Sequence, residues 1–119
     1  MDKEIIISRI DTILKHIDEI QNDIKDMSFE EFKKSDLYVR ATCFSLVQIG
    51  EHMSKVEESI GECFKDVPWK SARKMRNLIV HVYNNVKAEI VYETAKNDLD
   101  ELKEKFEYIK NTLVEPILD

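Results

Sequence analysis

This sequence predicts an all-α fold, an up-and-down antiparallel bundle of four main helices plus one short extra turn. Three observations carry that expectation. The 119 residues include only two Gly and two Pro, whereas sheets and barrels need turn residues every several positions. Ile6, Ile10, Ile13, Ile17, Ile20 and Ile24 recur in steps of four and three near the start, as Ala95, Leu99, Leu102, Phe106, Ile109 and Leu113 do near the end. Each set holds one face of a helix. The composition, 43% hydrophobic and 35% charged, suits a packed core under a solvated surface and excludes a disordered or membrane-embedded chain. A chain of this length fits a single domain spanning 1–119.

Taken in order, the first helix is expected from about Lys3 to Asp26. Ser28 then caps a short turn, FEEF, that sets Phe29 and Phe32 over one end of the bundle. A third helix starts at Ser35 or Asp36 and runs to about Glu58, with Leu37, Ala41, Phe44 and Val47 as its expected core side. Gly50 falls inside it, where glycine costs about 1 kcal/mol relative to alanine; a close helix crossing at that point would account for it. Gly61 ends the region. Pro68 suits the first turn of a fourth helix carrying WKSARKMRNLIVHVY, with Trp69 as a packing anchor, and Asn84-Asn85 make a break after it. The last helix is expected from Ala88 to Val114, stopped by Pro116, and lies along the first at a shallow angle.

The start MDKEIIISRID has acids where a signal peptide has basic residues, and no apolar run approaches the ~20 residues needed to span a bilayer. The expected place is the cytoplasm, with no membrane partner. Cys43 and Cys63 form no C-x-x-C pair and are expected reduced and packed. No histidine has a glutamate three residues before it, because Ile13, Ile49 and Leu78 stand there for His16, His52 and His81. The di-iron bundle pattern is therefore missing, and no metal and no cofactor is expected. His16 reads as an exposed residue of the first helix. Net charge is −6, unfavourable for a strong nucleic-acid binder. Yet from Val67 through Ala88 there is no acid, while Lys70, Arg73, Lys74, Arg76 and Lys87 all fall there. Such segregation suits a local phosphate site; on charge alone a solvated basic face is the simpler reading.

At about 100° per residue, Ala72, Met75, Ile79 and Val82 make the core-facing stripe of the fourth helix. Lys70, Arg73, Asn77 and His81 point broadly away, and Arg76 and Tyr83 lie near one flank. His81 then faces water, a ligand or a second copy of the chain. A histidine moves protons near neutral pH and an arginine grips phosphate oxygens. Asn77 can orient either, and Tyr83 offers a phenolic hydroxyl. Together they suit metal-free phosphodiester chemistry. An ordinary surface ion pair at Arg76 beside an exposed His81 stays open as the plainer alternative.

Arg76-Asn77, the spacing of five to His81, and then Val82-Tyr83 resemble the HepT signature of the HEPN family: Arg, four residues, His, any residue, Tyr. The entry Pro68-Trp69 and the step Ile49-Gly50-Glu51 on an earlier helix are similar to the family's context. The likeness runs over nearly the whole chain, with about fifteen residues specific. It departs after the tyrosine, where Asn84-Asn85-Val86-Lys87 replaces the Phe or Gly and acid common in relatives, so this edge is more basic. The resemblance implies a helical homodimer whose two motifs meet in an interface cleft, and a metal-independent endoribonuclease acting on RNA. It implies Arg76 and His81 as the catalytic pair with Asn77 supporting. It further implies a toxin of a type VII-like toxin-antitoxin pair, in which a minimal nucleotidyltransferase antitoxin transfers AMP from ATP onto Tyr83. The alternative is a non-catalytic, nucleotide-binding accessory subunit of such a nucleotidyltransferase. Glu51 and His52 would border the cleft if Gly50 marks a crossing with the motif helix.

Overall fold

The computed structural model describes residues 1–81 and 87–114. Among these residues six helices follow in order: α1 (Lys3–Ile24), α2 (Phe29–Lys34), α3 (Asp36–Ile60), α4 (Trp69–His81), α5 (Ala88–Asn97) and α6 (Leu99–Val114). A single 3₁₀ turn, Gly61–Cys63, follows α3. The bundle is all-α over the described residues, as the sequence predicts. Val82 to Val86 and Pro116, with the expected break at Asn84-Asn85, lie outside the described residues.

The α1 stripe is buried as its spacing requires, Ile6 to Ile24 included. It faces α3 on one side and α6 on the other. Its start is capped by Asp2, whose carboxylate accepts the Ile5 N–H at 3.0 Å, which satisfies a donor that has no partner inside the helix. Ser28 caps α2 with a full reciprocal box: its hydroxyl accepts the Glu31 N–H, and the Glu31 carboxylate accepts the Ser28 N–H. That short helix seats Phe32 and Phe29 against the Tyr92 ring of α5, at 5.3 and 5.6 Å. Tyr92 is fixed in turn by donating its hydroxyl to the Met27 carbonyl at 2.7 Å.

The last element departs from the expected single helix. Asp98 closes α5, its N–H donating to the Thr94 carbonyl, and α6 begins at Leu99. Asn97 and Asp98 compete for backbone hydrogen bonds and so favour helix ends over interiors. The apolar stripe nonetheless runs through the break: Ala95, Leu99, Leu102, Phe106 and Ile109 are all buried. The break lets α5 turn onto α2 while α6 runs antiparallel to α1. Lys110–Asp11, Lys103–Asp18 and Gln21–Asp100 pair along that seam in opposite chain order.

The α3 face is corrected as well. Leu37 and Phe44 are exposed, at 64% and 61%, and Ala41 and Val47 only half-buried. The buried side is Thr42, Cys43, Ser45, Leu46, Ile49, Gly50, Met53 and Val56. The N-terminal half of α3 is apolar on two faces, and α1 and α4 together bury only one. His16 is also corrected: it is half-buried between α1 and α3, with Nδ1 3.1 Å from Ser45 Oγ and its ring edge-on to Phe44. Burial is the main cause that holds its pKa below the usual histidine value. Cys43 is packed, and burial raises its thiol pKa, but Cys63 is exposed. Trp69 is the anchor its position suggests. It is buried, meets Phe106 edge-on at 5.8 Å, and donates Nε1–H to the Phe64 carbonyl at 3.0 Å. None of the described helices is long and apolar enough to cross a membrane.

Candidate active site

The site grows out of the crossing of α3 and α4. A Cβ placed on Gly50 would stand 2.8 Å from Arg76 Cβ and 3.3 Å from the Ala72 carbonyl oxygen. Only a residue without a side chain allows that approach, so the helix glycine is matched to the motif helix. The crossing is antiparallel. Arg73 meets Glu57 and, three residues on, Arg76 meets Glu51, six residues back along α3.

Arg76 is consequently held rather than free. Its side chain is 21% exposed, and its Nη1 lies 3.6 Å from the Glu51 carboxylate. Its Nε and Nη2 both donate to Asn77 Oδ1, at 3.2 and 3.0 Å. Asn77 thus occupies one edge of the planar guanidinium, and Glu51 stands near the nitrogen of the other. A phosphate oxygen approaching the Nη1–Nη2 edge meets donors already aimed. His81, the last residue of α4, is exposed. Five residues place it about 140° around the helix from Arg76, so a single protomer turns the two in different directions.

Arg73 does not point away from the bundle as its helix position suggests; it is turned onto α3 by Glu57. The acid-free stretch thereby acquires acids from another helix, and its basic excess sits at exposed Lys70 and Lys74. Ala72, Met75 and Ile79 face inward as expected, Ile79 fully buried and the other two partly. Glu51 borders the motif arginine, whereas His52, one residue on, faces α1. Tyr83 lies outside the described residues. An open apolar cleft of about 300 Å³ separates α4 from α5 and α6. It is lined by Ile49, Met53, Met75 and Leu102 among others and contains neither Arg76 nor His81. Its walls suit packing rather than phosphate chemistry.

A family model described as "Ribonuclease HepT-like" matches residues 13–109, which include α4 and the run from Arg76 to Tyr83. The chain belongs to the HepT-like ribonuclease family. Two proteins of Methanocaldococcus jannaschii, each named "Putative RNase", are 37% and 36% identical to it. The first alignment covers 87% of this chain and 89% of the relative, the second 82% and 80%. A protein of Thermococcus cleftensis named "Probable ribonuclease HepT" is 27% identical, over 85% of this chain and 92% of its own. No solved structure matches the chain. The HepT-like domain thus accounts for the helices on both sides of the Gly50 crossing and for the motif helix between Trp69 and His81.

Proposed function

We propose that this protein is a metal-independent endoribonuclease toxin that works as a homodimer in the cytoplasm, with Arg76 and His81 as its catalytic pair. The observation that carries the reading is the oriented Arg76, its guanidinium fixed by Glu51 and Asn77 at the Gly50 crossing. His81 takes the proton from a ribose 2′-OH, whose oxygen attacks the adjacent phosphorus. The bond from phosphorus to the 5′ oxygen of the next nucleotide breaks, and that oxygen takes up a proton. Arg76 stabilises the charge on the non-bridging oxygens as they develop it. Because one protomer turns Arg76 and His81 apart, a second copy is needed to close a cleft around the phosphate. Exposed Phe44, Leu37 and Val80 offer the apolar surface such a copy would cover. The purified protein is expected to cut single-stranded RNA in EDTA. Activity that disappears on chelation, or saturable ATP binding with no cutting, would favour the accessory-subunit role instead.

Regulation follows from Tyr83. Its phenolic oxygen attacks the α-phosphorus of ATP held by a partner minimal nucleotidyltransferase of a type VII-like toxin-antitoxin pair, releasing pyrophosphate and leaving AMP on the ring. The added phosphate and base, two residues from His81, block RNA by bulk and by charge. Co-expression with that antitoxin is expected to add about 329 Da per AMP to the intact mass, an increment lost in Tyr83→Phe, which lacks the acceptor hydroxyl. An unmodified wild type, or an increment that survives the substitution, removes the regulatory step.

A further inference from the structure

The chain has four arginines, and three of them lie against carboxylates: Arg40 against Asp36, Arg73 against Glu57 and Arg76 against Glu51. Arg9 does not. Half-buried where α1 packs on α3, it has no carboxylate partner among the described residues. Its Nη1 lies 3.2 Å from His52 Nδ1, and its Nε, shielded from water, has no hydrogen-bond partner among the described residues. A partly desolvated cation with neither counter-ion nor full hydrogen bonding is an expensive arrangement, and it becomes favourable when an anion completes it.

The hydrogen bond to Arg9 also settles what His52 can do. Arginine only donates, so Nδ1 must accept, which puts the imidazole proton on Nε2. Burial, and then the Arg9 charge, hold the His52 pKa below the usual value, which keeps that neutral form near pH 7. The pair therefore offers a guanidinium edge and an imidazole N–H side by side. His16, hydrogen-bonded to Ser45 Oγ seven residues earlier on α3, lines the same seam; the carboxylate there, Glu19, lies 3.7 Å from His16 Nδ1 and pairs with that ring rather than with Arg9.

The position matters as much as the chemistry. His52 follows Glu51 in sequence, and Glu51 meets Arg76. Arg9 and Arg76 thus stand at one level of α3, on its two flanks, either side of the outward face that carries exposed Glu51 and Lys55. The gap is that of one helix, on the order of 10 Å, comparable to phosphates a nucleotide or two apart along a single strand. We propose that Arg9 and His52 form a second phosphate subsite, which holds the RNA backbone next to the phosphate gripped by Arg76. The inference rests on the ribonuclease reading and deepens it by adding a substrate contact on α1.

The test uses the full chain carrying His81→Ala, so that RNA binds without being cut, and a fluorescein-labelled single-stranded RNA oligonucleotide as probe. Adding Arg9→Gln is expected to raise Kd about tenfold, the loss of one charge-assisted hydrogen bond. It should also flatten the slope of log Kd against log salt by about 0.7, one phosphate contact on a single strand. Arg9→Lys, which keeps the charge but not the planar fork, is expected to lose about threefold, intermediate between Arg9→Gln and the parent. It decides the matter if Arg9→Gln does not fold by circular dichroism. An unchanged Kd and salt slope in the folded variant overturns the subsite. So does a variant that binds RNA normally but sediments as a weaker oligomer, since the anion would then be a carboxylate of a second copy. The two readings fail separately. A wild type that binds RNA through Arg9 yet cuts none defeats the ribonuclease and leaves the subsite; cutting that needs His81 but ignores Arg9 does the reverse.

Discussion

His81→Ala is expected to slow RNA cutting by roughly 10² to 10⁴, the range for losing a positioned proton donor or acceptor. Arg76→Ala is expected to slow it by about 10² to 10³, as removal of a single charge-stabilising donor does. Initial rates on a labelled RNA in EDTA measure both. The variants differ in what else they disturb. His81 is exposed at the end of α4, so its replacement should leave stability within about 0.5 kcal/mol, and any lost rate belongs to the chemistry. Arg76 keeps its Cβ in Arg76→Ala, so the Gly50 contact survives, while Glu51 and Asn77 lose their shared partner. Arg76→Lys is expected to recover little, because an ammonium cannot satisfy Asn77 Oδ1 along one edge and present a second edge to phosphate. If His81→Ala cuts RNA at the parental rate, the proton-transfer role is wrong whatever Arg76 does.

The parts of this fold that periodicity encodes were legible. The isoleucine stripe of α1, the Ser28 cap with Glu31 three residues on, and the Trp69 anchor after Pro68 are all local patterns with one physical meaning. Gly50 was legible for a different reason: an unfavourable residue inside a strong helix implies a contact that requires it. What stayed hidden was tertiary. Along the first half of α3, Leu37–Ala41–Phe44–Val47 and Cys43–Leu46–Gly50 are both good helical stripes, and only the placement of α1 and α4 decides which is buried. The break at Asp98 was masked because the apolar stripe passes through it without losing register. Charge runs misled in the same way. The acid-free stretch of α4 looks like a basic patch in one dimension, yet Glu51 and Glu57 reach it from a helix about twenty residues earlier. Arg9 carried no local signal, since its meaning lies in having no carboxylate partner among the described residues, and that is visible only once its neighbours are placed.

Gly50→Leu separates fold from site by coupling them. Its Cβ would fall 2.8 Å from Arg76 Cβ and 3.3 Å from the Ala72 carbonyl oxygen. Neither atom is the free end of a flexible side chain, so α4 itself must move outward. Overpacking of this kind is expected to lower unfolding stability by about 1–3 kcal/mol, read from a denaturant midpoint. Displacing Arg76 by as little as ~1 Å from Asn77, Glu51 and the phosphate path is expected to lower the cutting rate by about 10². Gly50→Ala sharpens the argument, because its two effects on stability oppose each other. Alanine adds about 1 kcal/mol of helix preference to α3, while the same close contact with Arg76 Cβ removes a similar amount. Stability should then change little while cutting still falls, since helix preference has no way to restore the position of the guanidinium. A Gly50→Ala protein with parental rate would mean that α4 carries its motif independently of where it crosses α3, and that the tight crossing serves packing alone.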